Sequence, residues 1–344
     1  MLKNLELKVH EDDIKFDYHI LKGGEIFFNH REFTLHLNRG FLRLLIKENP
    51  HVIVSLGYSY LESILGLFYA KVLGKKFVLW SGSTLHSSMS KHIAIRKIKE
   101  MVIKRCDSFL AYGSNAADYL IRYGANESKV VVGCNTIAVN YFIAESSQLA
   151  WQKEEIKREK KWPAKIILFS GQLIPRKNLD VLLEALKKID KDDIGLVILG
   201  DGPLRNNYVA WCRKNQLKNV FFEGFRPVED LPIYYATADI FVMPSLREVW
   251  GLVVNEAMAS GLPVLCSNKA GVANDLVKDE FNGYTFDPKD SYGLKNMLVV
   301  LLNDEKKRKK MGRNSLQIIR NCTPEKYAED LLKAIDLATC NLKS

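Results

Sequence analysis

The chain has 344 residues, which at about 100–200 residues per domain suggests about two domains. Its 47% hydrophobic and 26% charged residues exclude a disordered chain, and 21 Gly with 10 Pro exclude a collagen-like or low-complexity one. The net charge of +10 is spread evenly, with 19 basic against 14 acidic residues in 1–150 and 31 against 26 in the remainder, so it is not a basic tail.

A phosphate-rich substrate, an anionic membrane and a nucleic acid are all compatible with that charge. No helix-turn-helix, zinc-finger or RNA-binding aromatic pattern is present, so no nucleic-acid partner is expected. No apolar run approaches the ~18–20 residues of a membrane span. The opening MLKNLELKVHEDD carries acidic residues and no apolar core, so it is not expected to be a signal peptide. Cys106, Cys134, Cys212, Cys266, Cys322 and Cys340 include no CxxC pair. Neither a zinc site nor a disulfide framework is expected, and a reducing compartment follows.

In chain order, DYHIL and IFF flank Lys22-Gly23-Gly24-Glu25 in a hairpin pattern, and a helical stretch follows from Arg39 to Glu48. A rhythm then begins. Strands HVIVS (51–55), FVLW (77–80), FLAY (109–112) and VVV (130–132) alternate with helical stretches 59–73, 91–105 and 114–123. Residues 145–164 are charged, lack a wide apolar face and end at Pro163; they read as a partly helical linker. The rhythm restarts with strands KIILF (165–169), GLVIL (195–199), NVFF (219–222), DIFVM (239–243) and PVLC (263–266), separated by helices 179–188, 203–215, 229–236, 251–260 and 271–277. The remainder is helical. Short apolar strands alternating with helices imply parallel sheets covered on both faces. The expected architecture is α/β, with two doubly wound Rossmann-like domains. Ligands of such sheets bind at the carboxyl ends of strands.

Four segments occupy that position in the second half. Ser170-Gly171-Gln172-Leu173-Ile174-Pro175-Arg176-Lys177-Asn178 sets two cations beside a Gly turn, an anion-site pattern, against which stands a solvated loop. Gly200-Asp201-Gly202-Pro203-Leu204-Arg205 lets backbone approach a ligand but lacks the third glycine of a dinucleotide fingerprint; a plain tight turn competes. Gly224-Phe225-Arg226-Pro227 is either a turn or a backbone contact to a base. The most informative run is Pro244 to Met258. Glu248 precedes a helix start, with free amides over Val249, Trp250, Gly251 and Leu252, and Glu256 follows within the helix with seven residues between the two acids. Such a helix start favours phosphate, while carboxylates accept hydrogen bonds from hydroxyls. A ligand carrying both phosphates and sugar hydroxyls would use all of it. The bland reading is that Glu248 caps the helix and Glu256 forms a surface salt bridge. Asp12-Asp13 and Asp192-Asp193 lie in polar stretches and read as solvated turns, not metal sites.

Together FSGQLIPRKNLDVLLEAL, ILGDGPLR, FFEGF, YYATADIFVMPSLREVWGLVVNEAMASGLPVL and NGYTF, in residues 165–286, resemble the retaining, nucleotide-sugar-dependent glycosyltransferases of family four, which have the GT-B fold. AYGSNAADYLIRYGA and CNTIAVNYF resemble the end of that family's first domain. The resemblance implies a hexosyltransferase-type enzyme that needs no metal or cofactor beyond its nucleotide-diphosphate sugar. In it Glu248 meets the donor sugar and Glu256 the ribose, and amides of Val249–Leu252 meet the sugar and distal phosphate. Gly171 and Gly200 line the donor, Lys177 with Arg176 neutralises the diphosphate, and Phe225 and Arg226 read the base. Three positions depart from the family pattern: Gln172 stands where Arg is usual, Trp250 where Phe is usual, and Asp275 where Glu is frequent. The implied domains are an acceptor-binding 1–144, a linker 145–164, a donor-binding 165–322, and a C-terminal helix 323–344 that crosses back to the first domain. The implied acceptor is a glycan or a polyprenyl- or lipid-linked sugar at the cytoplasmic face of the membrane.

In the first domain all seven His fall within the first 92 residues, and His86, after strand 77–80, is the candidate for the His the family often places near the donor sugar; a surface or capping His is the competing reading. The family opens with a strand and a Gly-rich loop. Here Gly23-Gly24 is the only candidate, the hairpin competes with it, and the first domain is otherwise expected to lack that strand. Residues 91–105 hold six cations and one carboxylate, with Ile95, Ile98 and Val102 on one face. This helix either packs on the sheet or lies on an anionic membrane, and the two are compatible if its rim is basic. The alternative to an enzyme is a nucleotide-sugar-binding protein without turnover. A pyridoxal-dependent phosphorylase is disfavoured by the length and the motifs.

Overall fold

A computed structural model describes residues 16–21, 23–28, 33–38, 40–58, 60–87, 93–189 and 191–340. Strands β1 (Gly23–Phe28) and β2 (Phe33–Asn38) form a separate antiparallel pair, followed by helix α1 (Phe41–Glu48). Then β3 (Val52–Leu56), α2 (Leu61–Val72), β4 (Lys76–Ser81), α3 (Ile93–Ile103), β5 (Ser108–Tyr112), α4 (Ser114–Arg122) and β6 (Val130–Gly133) build a parallel sheet in the order β3-β4-β5-β6. Helices α5 (Val139–Leu149) and α6 (Lys153–Glu159) lead to the second sheet.

That sheet is made by β7 (Lys165–Ser170), α7 (Leu179–Lys187), β8 (Ile194–Leu199), α8 (Arg205–Lys214), β9 (Val220–Gly224), α9 (Leu231–Thr237), β10 (Ile240–Met243), α10 (Leu252–Ala259), β11 (Val264–Ser267), α11 (Ala273–Leu276) and β12 (Gly283–Phe286). Its order is β12-β11-β10-β7-β8-β9, all parallel. Every residue of β8, β10 and β11 is buried, as a parallel sheet covered on both faces requires. The chain runs outward from β7 to β9, then returns to lay β10 on the other side of β7. The crevice between the carboxyl ends of β7 and β10 is therefore the switch point of the sheet. Helices α12 (Ser291–Asn303), α13 (Glu305–Ile319) and α14 (Pro324–Thr339) complete the chain.

Helix α14 leaves the second domain and packs on β4, β5 and β6, burying Tyr327, Ala334 and Ala338 against Val78 and Leu110. The Trp80 indole N–H donates to the Tyr327 hydroxyl, and Ser108 Oγ donates to the Ala334 carbonyl at 2.5 Å. Helices α2, α3 and α4 cover the opposite face.

Four expectations need correction. The hairpin pairs Gly23 with Asn38, so Gly23-Gly24 begins a strand and forms no turn or phosphate loop; the connecting residues 29–32 lie outside the described residues, as do 91 and 92 of the basic helical stretch. Residues 145–164 do not hang free. Ile156 and Trp162 are buried, and Lys153 and Lys157 reach the Asp239 carboxylate at 2.9 and 3.1 Å, so ion pairs replace the apolar stripe that the sequence lacks. Burial alone would raise the Asp239 carboxyl pKa, but the two ammonium groups outweigh it and hold the pKa below the usual value. Helix 271–277 shrinks to the four residues of α11. Finally, Cys134 and Cys322 are joined in a disulfide across 188 residues. No spacing rule reveals such a pair, because the return of α14 to the first domain brings the two cysteines together.

The bond ties the end of β6 to the turn between α13 and α14, where the chain crosses between domains, and Thr136 Oγ1 donates to the Cys322 carbonyl beside it. Closing so long a loop is expected to stabilise the oxidised protein by about 2–4 kcal/mol. A melting temperature that falls on mild reduction in wild type, and stays constant in Cys134→Ser, checks this.

Candidate functional site

The switch-point crevice is walled by the loops after β7 and β10. The loop after β7 leaves through Gly171, makes a short 3-10 turn over Pro175–Lys177 and enters α7 through Asn178. Asn178 sits at φ 53°, and its Nδ2 donates to the Pro244 and Pro288 carbonyls at 3.0 and 2.8 Å. The Leu246 amide donates to the Arg176 carbonyl at 2.9 Å, so the two loops are joined by backbone. The neighbouring loop after β8 presses in as well. A Cβ on Gly200, at φ 121°, would lie 2.1 Å from the Gly171 carbonyl oxygen, and only glycine fits.

On this frame Arg176 Nη1 and Lys177 Nζ both donate to Glu248 Oε2, at 2.9 and 2.5 Å. The side chains of Lys177 and Glu248 are only 13% and 12% exposed, so this pairing is largely shielded from solvent screening. Burial would raise the Glu248 pKa; Lys177 and then Arg176 reverse the effect and leave the carboxyl below its ordinary range. The Gly271 amide donates to the Glu248 carbonyl at 3.0 Å, fixing the loop from behind. Helix α10 then starts at Gly251, at φ 111°, where a Cβ would strike the Met243 sulfur at 2.7 Å. The sequence placed Trp250 at the donor through its amide. Its ring is buried away from the crevice, with Nε1 donating to Asn255 Oδ1 at 3.0 Å and its edge against Gly113 of the first domain.

Glu256, one turn into α10, accepts from the Tyr235 hydroxyl at 2.6 Å. Tyr235 is fully buried and also faces Ser170 at the end of β7, which brings Glu256 to the same strand end. Burial raises the Glu256 carboxyl to about 7, with the Tyr235 bond opposing it weakly. At the end of β9, Phe225 stands exposed, while Arg226 Nη2 and the Tyr234 hydroxyl both donate to Glu223 Oε2 at 2.9 Å. Gln172 is exposed on the rim and Leu252 half-exposed.

The first domain closes the crevice from the other side. A Cβ on Gly82, in the loop after β4, would come within 2.7 Å of Val249. His86 lies on this loop, exposed; desolvation and then the charge of Lys269 from the second domain lower its pKa. Asp275, which stands where the family frequently has Glu, reaches across to the first domain. Its carboxylate accepts from the Ser114 amide at 3.1 Å, capping α4 across the domain boundary, and Asn115 Nδ2 donates to the Gly271 carbonyl at 3.1 Å. Sequence reasoning missed Tyr235, Glu223 and the Asp275 cap, because each acts through a tertiary contact that no local spacing encodes.

Two cavities lie elsewhere: about 740 Å³ along the open edge of β3, and about 420 Å³ between Gly133, Asp275 and Gln317. Neither is lined by Glu248, Lys177 or Glu256, which sit on the open rim of the strand ends. Among the described residues there is no group of three or more His, Cys, Asp or Glu able to hold a metal, and no helix is long and apolar enough to cross a membrane.

A raised Glu256 pKa means that the folded chain holds a proton that the unfolded chain releases between about pH 4.5 and 7. Its contribution is fully present below 4.5 and is lost as pH rises toward 7. Glu256→Gln is therefore expected to melt higher than wild type at pH 8 relative to the difference at pH 4.5. Melting curves at matched pH read this directly, and parallel pH profiles for the two proteins would contradict it.

Residues 152–318 match the family described as glycosyl transferases group 1. A D-inositol 3-phosphate glycosyltransferase of Salinispora tropica is 28% identical over 71% of this chain and 56% of its own length. An Escherichia coli UDP-Gal:alpha-D-GlcNAc-diphosphoundecaprenol alpha-1,3-galactosyltransferase is 37% identical over 39% of this chain and 36% of its own. The chain spans between 28% and 59% of the length of curated relatives it matches. Among solved structures, the Anabaena HepE protein in complex with UDP superposes with a TM-score of 0.73 at 18% identity, covering 87% of this chain and 82% of that one. The fold is the two-domain GT-B arrangement. The domain that carries Glu248, Lys177 and Arg176 is the part of the chain that matches the group 1 glycosyl transferases.

Proposed function

We propose that the protein is a retaining glycosyltransferase that moves a sugar from a nucleoside-diphosphate sugar to a glycan or lipid-linked acceptor. The observation that carries this reading is the convergence of Arg176 and Lys177 on Glu248 at the β7/β10 switch point, in a domain of the glycosyl transferase family. In this reading the two cations hold the diphosphate, with Gly171, Gln172 and Gly200 beside it and the amides of Val249, Trp250, Gly251 and Leu252 on the distal phosphate. Glu248 accepts from sugar hydroxyls and Glu256 from the ribose. Phe225 and Arg226 meet the base. His86 faces the sugar from the first domain.

In the reaction the bond from the anomeric carbon to the distal phosphate oxygen breaks while the acceptor oxygen bonds the same face. The acceptor proton passes to the departing phosphate. Positive charge develops on the sugar and negative charge on the leaving group, and fixed cations stabilise the latter without a metal. No carboxylate pair of the glycosidase kind is used.

Residues 1–144 would bind the acceptor and 165–322 the donor, with 145–164 between them and 323–344 returning to the first domain. Relatives named for an inositol phosphate and for a diphosphoundecaprenol-linked sugar support a phosphorylated or lipid-linked acceptor. Ile93, Ile95, Ile98 and Met101 of α3 are exposed among Arg96, Lys97 and Arg105; only Val102 and Ile103 of the helix's apolar residues are buried in the described core. That supports peripheral contact with an anionic membrane at its cytoplasmic face. A second reading, nucleotide-sugar binding without turnover, is favoured by one observation: the described first sheet has four strands, and β3 lies at its edge with Val54 and Leu56 exposed.

Lys177→Ala is expected to lower turnover by about 10²–10³. Release of nucleoside diphosphate from a panel of nucleotide sugars measures it. Unchanged release in both Lys177→Ala and Glu248→Ala would overturn the site assignment, and binding without release in wild type would favour the second reading.

A further inference from the structure

Resting on the proposed function, the geometry points to a second task for Glu248: its carboxylate occupies the diphosphate's place on Lys177 and Arg176, so that the donor must displace it to bind and it helps expel the nucleoside diphosphate after transfer. Both cations converge on one oxygen, Oε2, at 2.5 and 2.9 Å. Each cation spends a donor and much of its charge on that oxygen, so a phosphate meets their full charge only when Glu248 lets go. Lys177 is 13% exposed and Arg176 35%, so a phosphate approaching from the crevice reaches cations that are already neutralised.

The backbone leaves this exchange to the side chains. The Glu248 carbonyl is held by the Gly271 amide at 3.0 Å, and residue 248 bridges to Ala270 beside β11. The Arg176 carbonyl is held by the Leu246 amide at 2.9 Å. Main chains on both sides are thus fixed, and only the side-chain torsions of Glu248, Arg176 and Lys177 are left to change partner. A carboxylate swinging away from the cations moves toward hydroxyl groups of a bound sugar, where it remains hydrogen-bonded. Once the sugar has gone to the acceptor, those hydroxyls are lost to Glu248, and its strongest remaining partners are the two cations. The carboxylate then competes more strongly with the product than with the donor, whose sugar hydroxyls offer it other partners. Charge-assisted pairs of this kind are among the stronger polar contacts, so the exchange acts on product affinity at a scale that kinetics resolves.

A purely sugar-binding Glu248 and a competing Glu248 predict opposite signs for one variant. Glu248→Gln keeps size and hydrogen-bonding capacity but removes the charge. With UDP, GDP and ADP as probes, calorimetry on the full chain is expected to show the best of the three binding roughly ten- to hundredfold tighter to Glu248→Gln than to wild type. Stopped flow should show correspondingly slower release, while sugar turnover falls. In the Lys177→Met background the gain from Glu248→Gln should shrink toward one, because the contested cation is gone. Melting curves confirm that each variant is folded, and Glu248→Asp serves as a second variant if the Gln form is not, expected to bind the diphosphate no more than threefold differently from wild type because the charge is kept. Equal or weaker diphosphate binding in folded Glu248→Gln, or a gain that persists undiminished without Lys177, would overturn this inference and leave the proposed function standing. Failure of wild type and variant alike to bind any of the three probes would overturn both.

Discussion

The two-cation grip on Glu248 is the interaction around which the second domain is organised. It is possible only because β10 lies next to β7 although two other strands of the sheet, β8 and β9, separate them along the chain. That ordering puts a basic turn and an acidic loop at adjacent strand ends. Backbone bonds between the loops, and Asn178 reaching the Pro244 carbonyl, hold them at the distance that a carboxylate bridges. Glycine at 200 lets a third loop press close without a side chain intervening.

The same segment also joins the domains. Trp250 turns its ring toward Gly113, Asp275 caps α4, and Val249 meets the loop that carries His86. The backbone proposed to bind the donor and the domain contact are thus built from neighbouring residues. The return of α14 and the Cys134–Cys322 bond add further ties between the domains, beside the end of β6.

Much of this was legible in residue order alone. Five of the six second-domain strands fall within one or two residues of the runs KIILF, GLVIL, NVFF, DIFVM and PVLC, because parallel strands are short, continuous apolar segments bounded by turns, whereas β12 is not read as a strand. Arg176, Lys177 and Glu248 were legible as residue types at strand ends. Their pairing was not, since it depends on which strand lies beside which. Tyr235 reads as an ordinary helix residue and Asp275 as a stand-in for a family glutamate, and only the folded chain gives them their partners. The hairpin shows the opposite failure. Gly23-Gly24 carries a strong turn signal, yet pairing with Asn38 absorbs it into a strand. The linker shows that lysines can pack a helix when an aspartate such as Asp239 waits at the other end.

The claim that Lys177 and Arg176 receive the donor's diphosphate is tested most directly by a crystal structure with a nucleoside diphosphate bound. Phosphate oxygens are expected within about 3 Å of Lys177 Nζ, with the nucleoside running toward Glu256 and Phe225. A nucleotide seated instead in the cavity along β3, or at any place that leaves Lys177 and Arg176 without phosphate contact, would contradict it.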